Sequence, residues 1–199
     1  MGPSRVWVVC NGPDPKFGVD SVGTVPAALT AYSLLTHLKP DLLVNAGTAG
    51  GFAARGGGVG DVYVGYACRH HDRHIQLPLY EPYGVYEVPT LDAPRLREAL
   101  GLKRGLVSSG NSLAASSTDL EHLALHGAAV KEMEAAAVAY VAGQFCCPLL
   151  VVKAITDIVD GDRPTGDEFM ANLGAAAAAL QGVLPRVLTY VGGKTAAEL

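Results

Sequence analysis

Short apolar runs and longer segments of helical periodicity alternate along this chain of 199 residues. Runs rich in Val and Leu that end at turn residues are typical of strands buried on both faces of a parallel sheet. On this criterion we predict strands over residues 7–11, 42–46, 62–67, 106–109, 130–133 and 149–155. Apolar residues at helical spacing predict helices over residues 24–39, 96–100, 117–125, 135–145 and 167–190.

The first of these helices has clear end signals. Thr24 is a suitable cap, Pro26 suits the first turn, and Pro40 ends the segment. Because a predicted strand lies on each side of this helix, the three elements predict a right-handed βαβ unit. Residues 69–86 are rich in His, Pro and Tyr and predict a long irregular excursion, which in a compact domain is usually functional or contacts a partner.

Composition narrows the class of protein. The chain is 49% hydrophobic and 17% charged, which favours one α/β domain over residues 1–199. A net charge of −4 leaves no basic stripe, so we expect no nucleic-acid partner. The apolar stretch 175–180 is too short to cross a bilayer, so we expect no membrane partner. The four cysteines lack zinc or disulfide spacing, and no signal or transit pattern begins the chain, so we expect a cytoplasmic protein.

Three segments place polar residues where predicted strands end, which is where open α/β sheets bind ligands. Residues 45–51 form a glycine-rich turn that matches no nucleotide-phosphate motif and by itself indicates only a tight connection. Residues 131–137 put Glu134 at a strand-to-helix junction. An acid there is explained equally well by a favourable interaction with the helix dipole and by a functional role. Asp157 follows a core strand, and we expect its pKa to be raised by the nearby Asp160 and Asp162 or by burial at the strand end.

These segments occur in order with other short motifs, and the set resembles the plant-type 5′-methylthioadenosine nucleosidases. The other motifs are Gly18–Val25, His71–Arg73, Ser109–Gly110 with Ser112–Leu113, and Asp160–Thr165. That family lies in the nucleoside phosphorylase/nucleosidase superfamily. The resemblance implies a three-layer α/β/α fold with a mixed, mostly parallel central sheet. It covers the chain from about Val6 onward.

The resemblance assigns a role to each matching residue. Asp157 would donate a proton to N7 of adenine as general acid, and an ionised Glu134 would bind the ribose hydroxyls. Met133 would pack beneath the sugar, and Leu113 would lie against the adenine. The ribose pocket would be lined by Thr48, Ala49 and Gly50. No cofactor or metal is implied, and the expected partners are a small adenine nucleoside and a second copy of the chain, because family members are homodimers. In such a dimer, residues 78–86 would reach the neighbouring subunit.

Two departures from the family pattern bear on activity. Asn111 and Ala114 replace acids that we expect in plant-type members. The family also opens with a strand, a helix and a strand ahead of the position of Trp7, and the first loop there holds the glutamate that activates water. We therefore expect a truncated form with reduced activity.

Three other interpretations remain open. Hexameric purine phosphorylases carry an arginine at the position of Asn45, so its uncharged amide favours water over phosphate as nucleophile, but a phosphorylase stays an alternative. A non-catalytic module that binds adenine nucleosides or another chain is the second. The third is a metal site at residues 70–74, which we consider weak because consecutive residues on an extended segment point to alternate faces.

Overall fold

The computed structural model describes residues 4–199, in which six strands form one mixed sheet. The strands are β1 (Leu43–Gly51), β2 (Val62–His70), β3 (Val88–Pro89), β4 (Lys103–Ser109), β5 (Val130–Glu132) and β6 (Leu149–Ile158). The helices are α1 (Thr24–Leu38), α2 (Tyr80–Val85), α3 (Pro94–Leu100), α4 (Ser117–Leu125), α5 (Ala135–Gln144) and α6 (Thr165–Val191). Two short 3-10 turns cover Ala53–Arg55 and Ala196–Glu198.

The sheet has the strand order β3-β2-β4-β5-β1-β6 and closes on itself. Its long ladders are parallel, since β1 runs beside β6 along its whole length and β2 runs beside β4. The pairings β1–β5, β2–β3 and β2–β6 are antiparallel. The β2–β6 ladder joins residues 62–65 to residues 151–154 and completes a ring of strands. The strand pattern did not predict this closure. The β1–β5 and β1–β6 ladders bring the ends of β1, β5 and β6 together.

Helices cover both faces of the sheet, which confirms the three-layer α/β architecture. On one face α1 and α5 pack against β1 and β4 in a core of small and branched side chains. On the other face α3 and α6 pack against β2 and β6. The alanines of α5 are almost all buried, and their small side chains allow α5 to lie close to α1 and to the sheet. Of the helices within residues 4–199, none is both long and apolar enough for a membrane span.

The predicted strand over residues 7–11 is wrong, and with it the predicted βαβ unit. These residues form no ladder in the described chain, and Val8 is 94% exposed. A strand needs a neighbour for its backbone N–H and C=O groups, and an apolar run cannot supply one. The only pairing near this segment is an isolated bridge between Pro13 and Asp20, within the described residues.

Helix ends were predicted with mixed success. Helix α4 covers the predicted residues, and a capping box between Ser116 and Asp119 begins it. Thr24 is not the cap of α1, because Gly23 precedes the helix at φ +98° and the Thr24 hydroxyl donates to Asn111 Oδ1 at 2.8 Å. The predicted irregular excursion is also partly regular, since β2 extends to His70 and α2 forms within it.

Candidate active site

Asp157 lies in β6 near its carboxyl end and is 3% exposed. The Thr156 hydroxyl donates to Asp157 Oδ1 at 2.6 Å. Burial raises the pKa of Asp157 above its usual range, and the charge of Glu168 adds to this rise. The bond from Thr156 and the charge of Lys131 oppose the rise without cancelling it. The position therefore favours a protonated carboxyl group, which a general acid requires.

Burial, one of the two predicted sources of this pKa shift, is confirmed, whereas the other, the charges of Asp160 and Asp162, is wrong. Asp160 is exposed, and its two oxygens accept the backbone N–H groups of Ala53 and Ala54 at 2.7 and 2.9 Å. Asp162 is exposed as well, so water screens its charge. Glu168, in the first turn of α6, is buried instead and accepts the Ile158 N–H at 3.0 Å. Folding thus brings a distant acid near Asp157, where proximity in sequence suggested two others.

Glu134 stands at the junction of β5 and α5 and is the residue that precedes the helix. Its side chain is half-buried, and its Oε1 accepts the backbone N–H of Gly23 at 2.8 Å. The side chain thus lies at the N-terminal end of α5. The start of α1 holds the Glu134 side chain there through the Gly23 N–H.

A buried ionic cluster fixes the backbone of Glu134, and the sequence analysis missed it. Glu132 Oε2 accepts the N–H groups of Glu134 and Ala135 at 3.0 and 2.8 Å, and it pairs with Lys153 Nζ at 2.8 Å. Ser109 Oγ donates to the other oxygen of Glu132. Burial opposes ionisation of Glu132, but Lys153 and the hydrogen bonds outweigh it, so its pKa lies below the usual range. The signal was present, because a lysine inside the apolar run 149–155 requires a buried acid as partner.

Strand β1 brings the glycine-rich turn between the two acidic segments. Gly50 pairs with Lys131 on β5 and with Asp157 on β6, so β1 lies directly between the strand that leads to Glu134 and the strand that holds Asp157. Ala49 is buried, and its carbonyl oxygen lies 3.0 Å from the Thr156 hydroxyl, which donates its single proton to Asp157 Oδ1. Thr48 is half-buried one position earlier. The structure thus brings Thr48, Ala49 and Gly50 together with Asp157.

Gly50 is required by this packing. A Cβ atom there would lie 2.8 Å from Asp157 Oδ2 and 2.6 Å from Val159 Cγ2. Both distances are shorter than a normal contact, so any side chain at this position would displace the acid. The glycine at the end of β1 therefore allows the close approach of the Asp157 carboxyl group.

The loop after β4 reaches the same region through two anchors. Lys131 Nζ donates to the carbonyls of Ser112 and Leu113 at 2.7 and 2.8 Å, which holds Leu113 near β5. Asn111 Oδ1 accepts the Thr24 N–H at 3.0 Å, and the Asn111 amide groups donate to Asp72. Leu113 itself is 45% exposed, as a side chain that meets a ligand would be. The structure therefore ties this loop to the start of α1.

Two further positions from the sequence analysis are Met133 and Ala114. Met133 is half-buried between Glu132 and Glu134. Ala114 is exposed beside Leu113.

A cleft of about 630 Å³ lies at the other end of β1 and β6, away from Asp157. It is lined by Leu35, Thr36, Lys39, Pro40, Asp41, Phe145, Cys146, Cys147 and Pro148. It contains none of the predicted site residues, so its size does not identify the site.

Comparison with known proteins identifies the family of the chain. A family model described as the phosphorylase superfamily matches residues 2–189. A 5′-methylthioadenosine/S-adenosylhomocysteine nucleosidase of Arabidopsis thaliana is 46% identical over 195 residues, which cover 98% of this chain and 77% of that protein. A crystal structure of an MTA/SAH nucleosidase matches with a TM-score of 0.92 at 46% identity, covering 94% of this chain and 77% of that chain.

A more distant structure gives the same result. The 5′-methylthioadenosine/S-adenosylhomocysteine nucleosidase of Neisseria meningitidis, solved in complex with methylthio-immucillin-A, matches with a TM-score of 0.71 at 25% identity. That match covers 87% of this chain and 80% of the other. The fold, the ordered motifs and these similarities together assign the chain to the phosphorylase superfamily and, within it, to the 5′-methylthioadenosine nucleosidases, which are N-glycosyl hydrolases.

Proposed function

We propose that the protein hydrolyses the N-glycosidic bond of 5′-methylthioadenosine and releases adenine and 5-methylthioribose, as a step of methionine salvage. One observation carries the proposal: a buried acid with a raised pKa, Asp157, lies one strand away from a helix-start glutamate, Glu134. Two acids in such different environments suit two different roles. The similarity to nucleosidases supports the choice of substrate class.

In the proposed reaction, Asp157 protonates N7 of adenine while the bond between N9 and the ribose C1′ breaks. The bonding electrons leave with the purine, and the sugar becomes cationic. Glu134 stays ionised, binds the ribose hydroxyls and stabilises that positive charge. Water adds to C1′ and loses a proton to the solvent, from which Asp157 takes up a proton again, so the products are neutral adenine and the free sugar.

The surrounding residues have binding roles in the same proposal. Thr48, Ala49 and Gly50 line the ribose pocket, Met133 lies beneath the sugar and Leu113 lies against the adenine face. The position of residues 48–50 beside Asp157 and the exposure of Leu113 support these roles. The Gly23 N–H occupies only one oxygen of Glu134, which leaves the other for a hydroxyl group.

The test is adenine release from 5′-methylthioadenosine, followed by chromatography. We expect Asp157→Asn and Glu134→Gln each to lower kcat by a factor of about 100 or more, since each removes a group that acts in the transition state. Asp162→Asn is the matched control, because Asp162 is an exposed acid in the adjacent loop. Equal loss in the control, or full activity in Asp157→Asn, would refute the assignment. Phosphate-dependent formation of a sugar 1-phosphate would identify a phosphorylase instead.

A homodimer in the cytoplasm completes the proposal. Four large apolar side chains in and around α2 are at least half exposed, as a subunit interface requires, namely Leu77, Leu79, Tyr80 and Tyr83. The four cysteines are free thiols, which suits a reducing compartment. Light scattering after gel filtration tests the dimer, and imaging of a fluorescent fusion to the complete gene product tests the location.

A further inference from the structure

Strand β6 contains an extra residue directly before Asp157. On β1, Ala49 and Gly50 are consecutive. Their partners on β6 are Ile155 and Asp157, which leaves Thr156 without a partner on β1. Such a bulge inserts one residue into a strand and changes the direction of a nearby side chain, and bulges are common beside active sites. The bulge therefore helps to decide the direction in which Asp157 leaves the sheet.

The β2–β6 ladder on the second edge of β6 stops short of Asp157. Its last pair joins Val62 to Ala154. One residue further along, the Ile155 N–H reaches the carbonyl of Asp61 at 2.9 Å, just ahead of β2. Because an unpaired buried backbone group is costly, the backbone beyond Ile155 needs partners on this edge that do not come from a strand.

Helix α6 supplies these partners through two side chains. Asn172 Nδ2 donates to the Thr156 carbonyl at 3.0 Å. Glu168 Oε2 accepts the Ile158 N–H, also at 3.0 Å. The two bonds thus hold the residue before Asp157 and the residue after it.

The two side chains lie on one face of α6. Glu168 and Asn172 are four residues apart, so they lie one turn apart on the same side of the helix. Glu168 is 7% exposed. Ala176, one turn further along, is completely buried in the core between α6, β2 and β6. This face of α6 is therefore fixed against the sheet, and the two bonds connect it to the backbone around Asp157.

Charge also reaches Asp157 from α6. The charged groups that face it are Glu168 on α6 and Lys131 on β5, whereas β1 presents Gly50, which has no side chain. Burial is the main cause of the raised pKa of Asp157, and the negative charge of Glu168 raises this pKa further. The hydrogen bond from Thr156 and the charge of Lys131 lower it. Glu168 therefore favours the protonated carboxyl group.

We propose that Glu168 and Asn172 are positioning residues for Asp157, because they fix the peptide groups on both sides of it and so set the direction of its carboxyl group. Oδ1 of Asp157 accepts the Thr156 hydroxyl, which leaves Oδ2 to meet the purine nitrogen. Glu168 and Asn172 act through Asp157 and not on the substrate. This role rests on the proposed function, in which Asp157 is the general acid.

Truncation of either side chain tests the positioning. We expect Glu168→Ala and Asn172→Ala each to lower kcat for 5′-methylthioadenosine by about tenfold or more with KM changed by less than about twofold, since a displacement of about 1 Å can cost a factor of about 100. Asp167→Asn and Gln181→Ala are the matched controls, because both residues are exposed on α6, and they should keep the native kcat. Circular dichroism measures the folded fraction, so that kcat is counted per folded molecule.

Glu168→Gln separates the hydrogen bond from the charge. Its amide oxygen can still accept the Ile158 N–H, so at low pH, where Asp157 is protonated in both proteins, kcat should stay within about twofold of native. The loss of the negative charge lowers the pKa of Asp157, so the basic limb of the pH profile of kcat/KM should move to lower pH. Carbon-13 NMR of the labelled carboxyl groups, with Asp157→Asn to assign the signal, should show a shift in the same direction without substrate. Asp167→Asn should leave that titration unchanged.

Three results would overturn the proposal. The first is a native kcat per folded molecule in both alanine variants, which would show that Glu168 and Asn172 only stabilise the fold. The second is an unchanged titration of Asp157 in Glu168→Gln, and the third is an equal loss of kcat in Glu168→Gln and Glu168→Ala at low pH. Full activity of Asp157→Asn would refute the proposed function instead, and the NMR titration would then decide by itself whether Glu168 acts on Asp157.

Discussion

Substitution of Glu132 by Gln removes the negative charge of the buried ionic cluster but leaves the size of the side chain nearly unchanged. Three donors meet Glu132 Oε2, from Lys153, Glu134 and Ala135, so the single oxygen of a glutamine must take that position. Its amide then faces Ser109, whose hydroxyl can turn to accept. The side chains of Glu132 and Lys153 are each only 2% exposed, so the variant leaves a lysine charge buried without a counter-charge.

Breaking such a pair should lower the free energy of unfolding by about 3 to 5 kcal/mol, a large share of the roughly 5 to 15 kcal/mol of a typical domain. Lys153→Met should also destabilise the protein. The double variant removes both charges, so its loss should be smaller than the sum of the single losses by about 1 to 3 kcal/mol. Urea unfolding followed by circular dichroism measures all three variants, and Glu121→Gln, at an exposed helix position, is the control.

Activity tells whether this cluster only supports the fold or also positions Glu134. The double variant has no buried unpaired charge, but it still lacks the carboxylate that accepts the Glu134 N–H. A hydrogen bond to a charged acceptor is stronger than one to a neutral acceptor by about 1 kcal/mol. The kcat/KM of the double variant for 5′-methylthioadenosine should therefore be about fivefold to tenfold below that of the native protein, mainly through kcat. Recovery of full activity along with stability would refute the positioning role. Additive stability losses would refute the ion-pair reasoning itself.

Three further predictions concern the proposed site. Because burial raises the pKa of Asp157 in the folded state, the protonated carboxyl group contributes to stability at low pH, and this contribution is lost as pH rises through that pKa. At pH 8 the variant Asp157→Asn should therefore unfold at a higher urea concentration than the native protein, and at pH 4 the difference should vanish. Gly50→Ala should lower kcat by at least about tenfold because its Cβ would contact Asp157, whereas Gly174→Ala, with open space around it, should be as active and up to about 1 kcal/mol more stable in thermal unfolding. Asn111→Ala removes the link between the loop after β4 and the start of α1, so KM should rise severalfold with little change in kcat; an unchanged KM would contradict it.

Most of the strands and helices, and the places of Asp157 and Glu134 at their ends, could be predicted from the sequence. The spacing of apolar residues and the turn residues at the ends of a segment determine local structure. The buried strand that contains Asp157 and helix α4 therefore lie where the sequence predicts them. The glycine-rich turn and the acid at Glu134 have little meaning singly, but their order along the chain carried the family resemblance. These features depend on residues that are close together in the sequence, so they can be recognised without the tertiary structure.

Only the tertiary structure decided which groups meet. An apolar run becomes a strand when a neighbour pairs with it, and the exposed residues 7–11 have none in the described chain. The closure of β6 onto β2 and the pairing of Gly50 with strands on both sides depend on register, which no local pattern fixes. Electrostatics follow distance in space, so Glu168 and Lys153 act on the site from remote positions, while Asp160, three residues from Asp157, binds a turn.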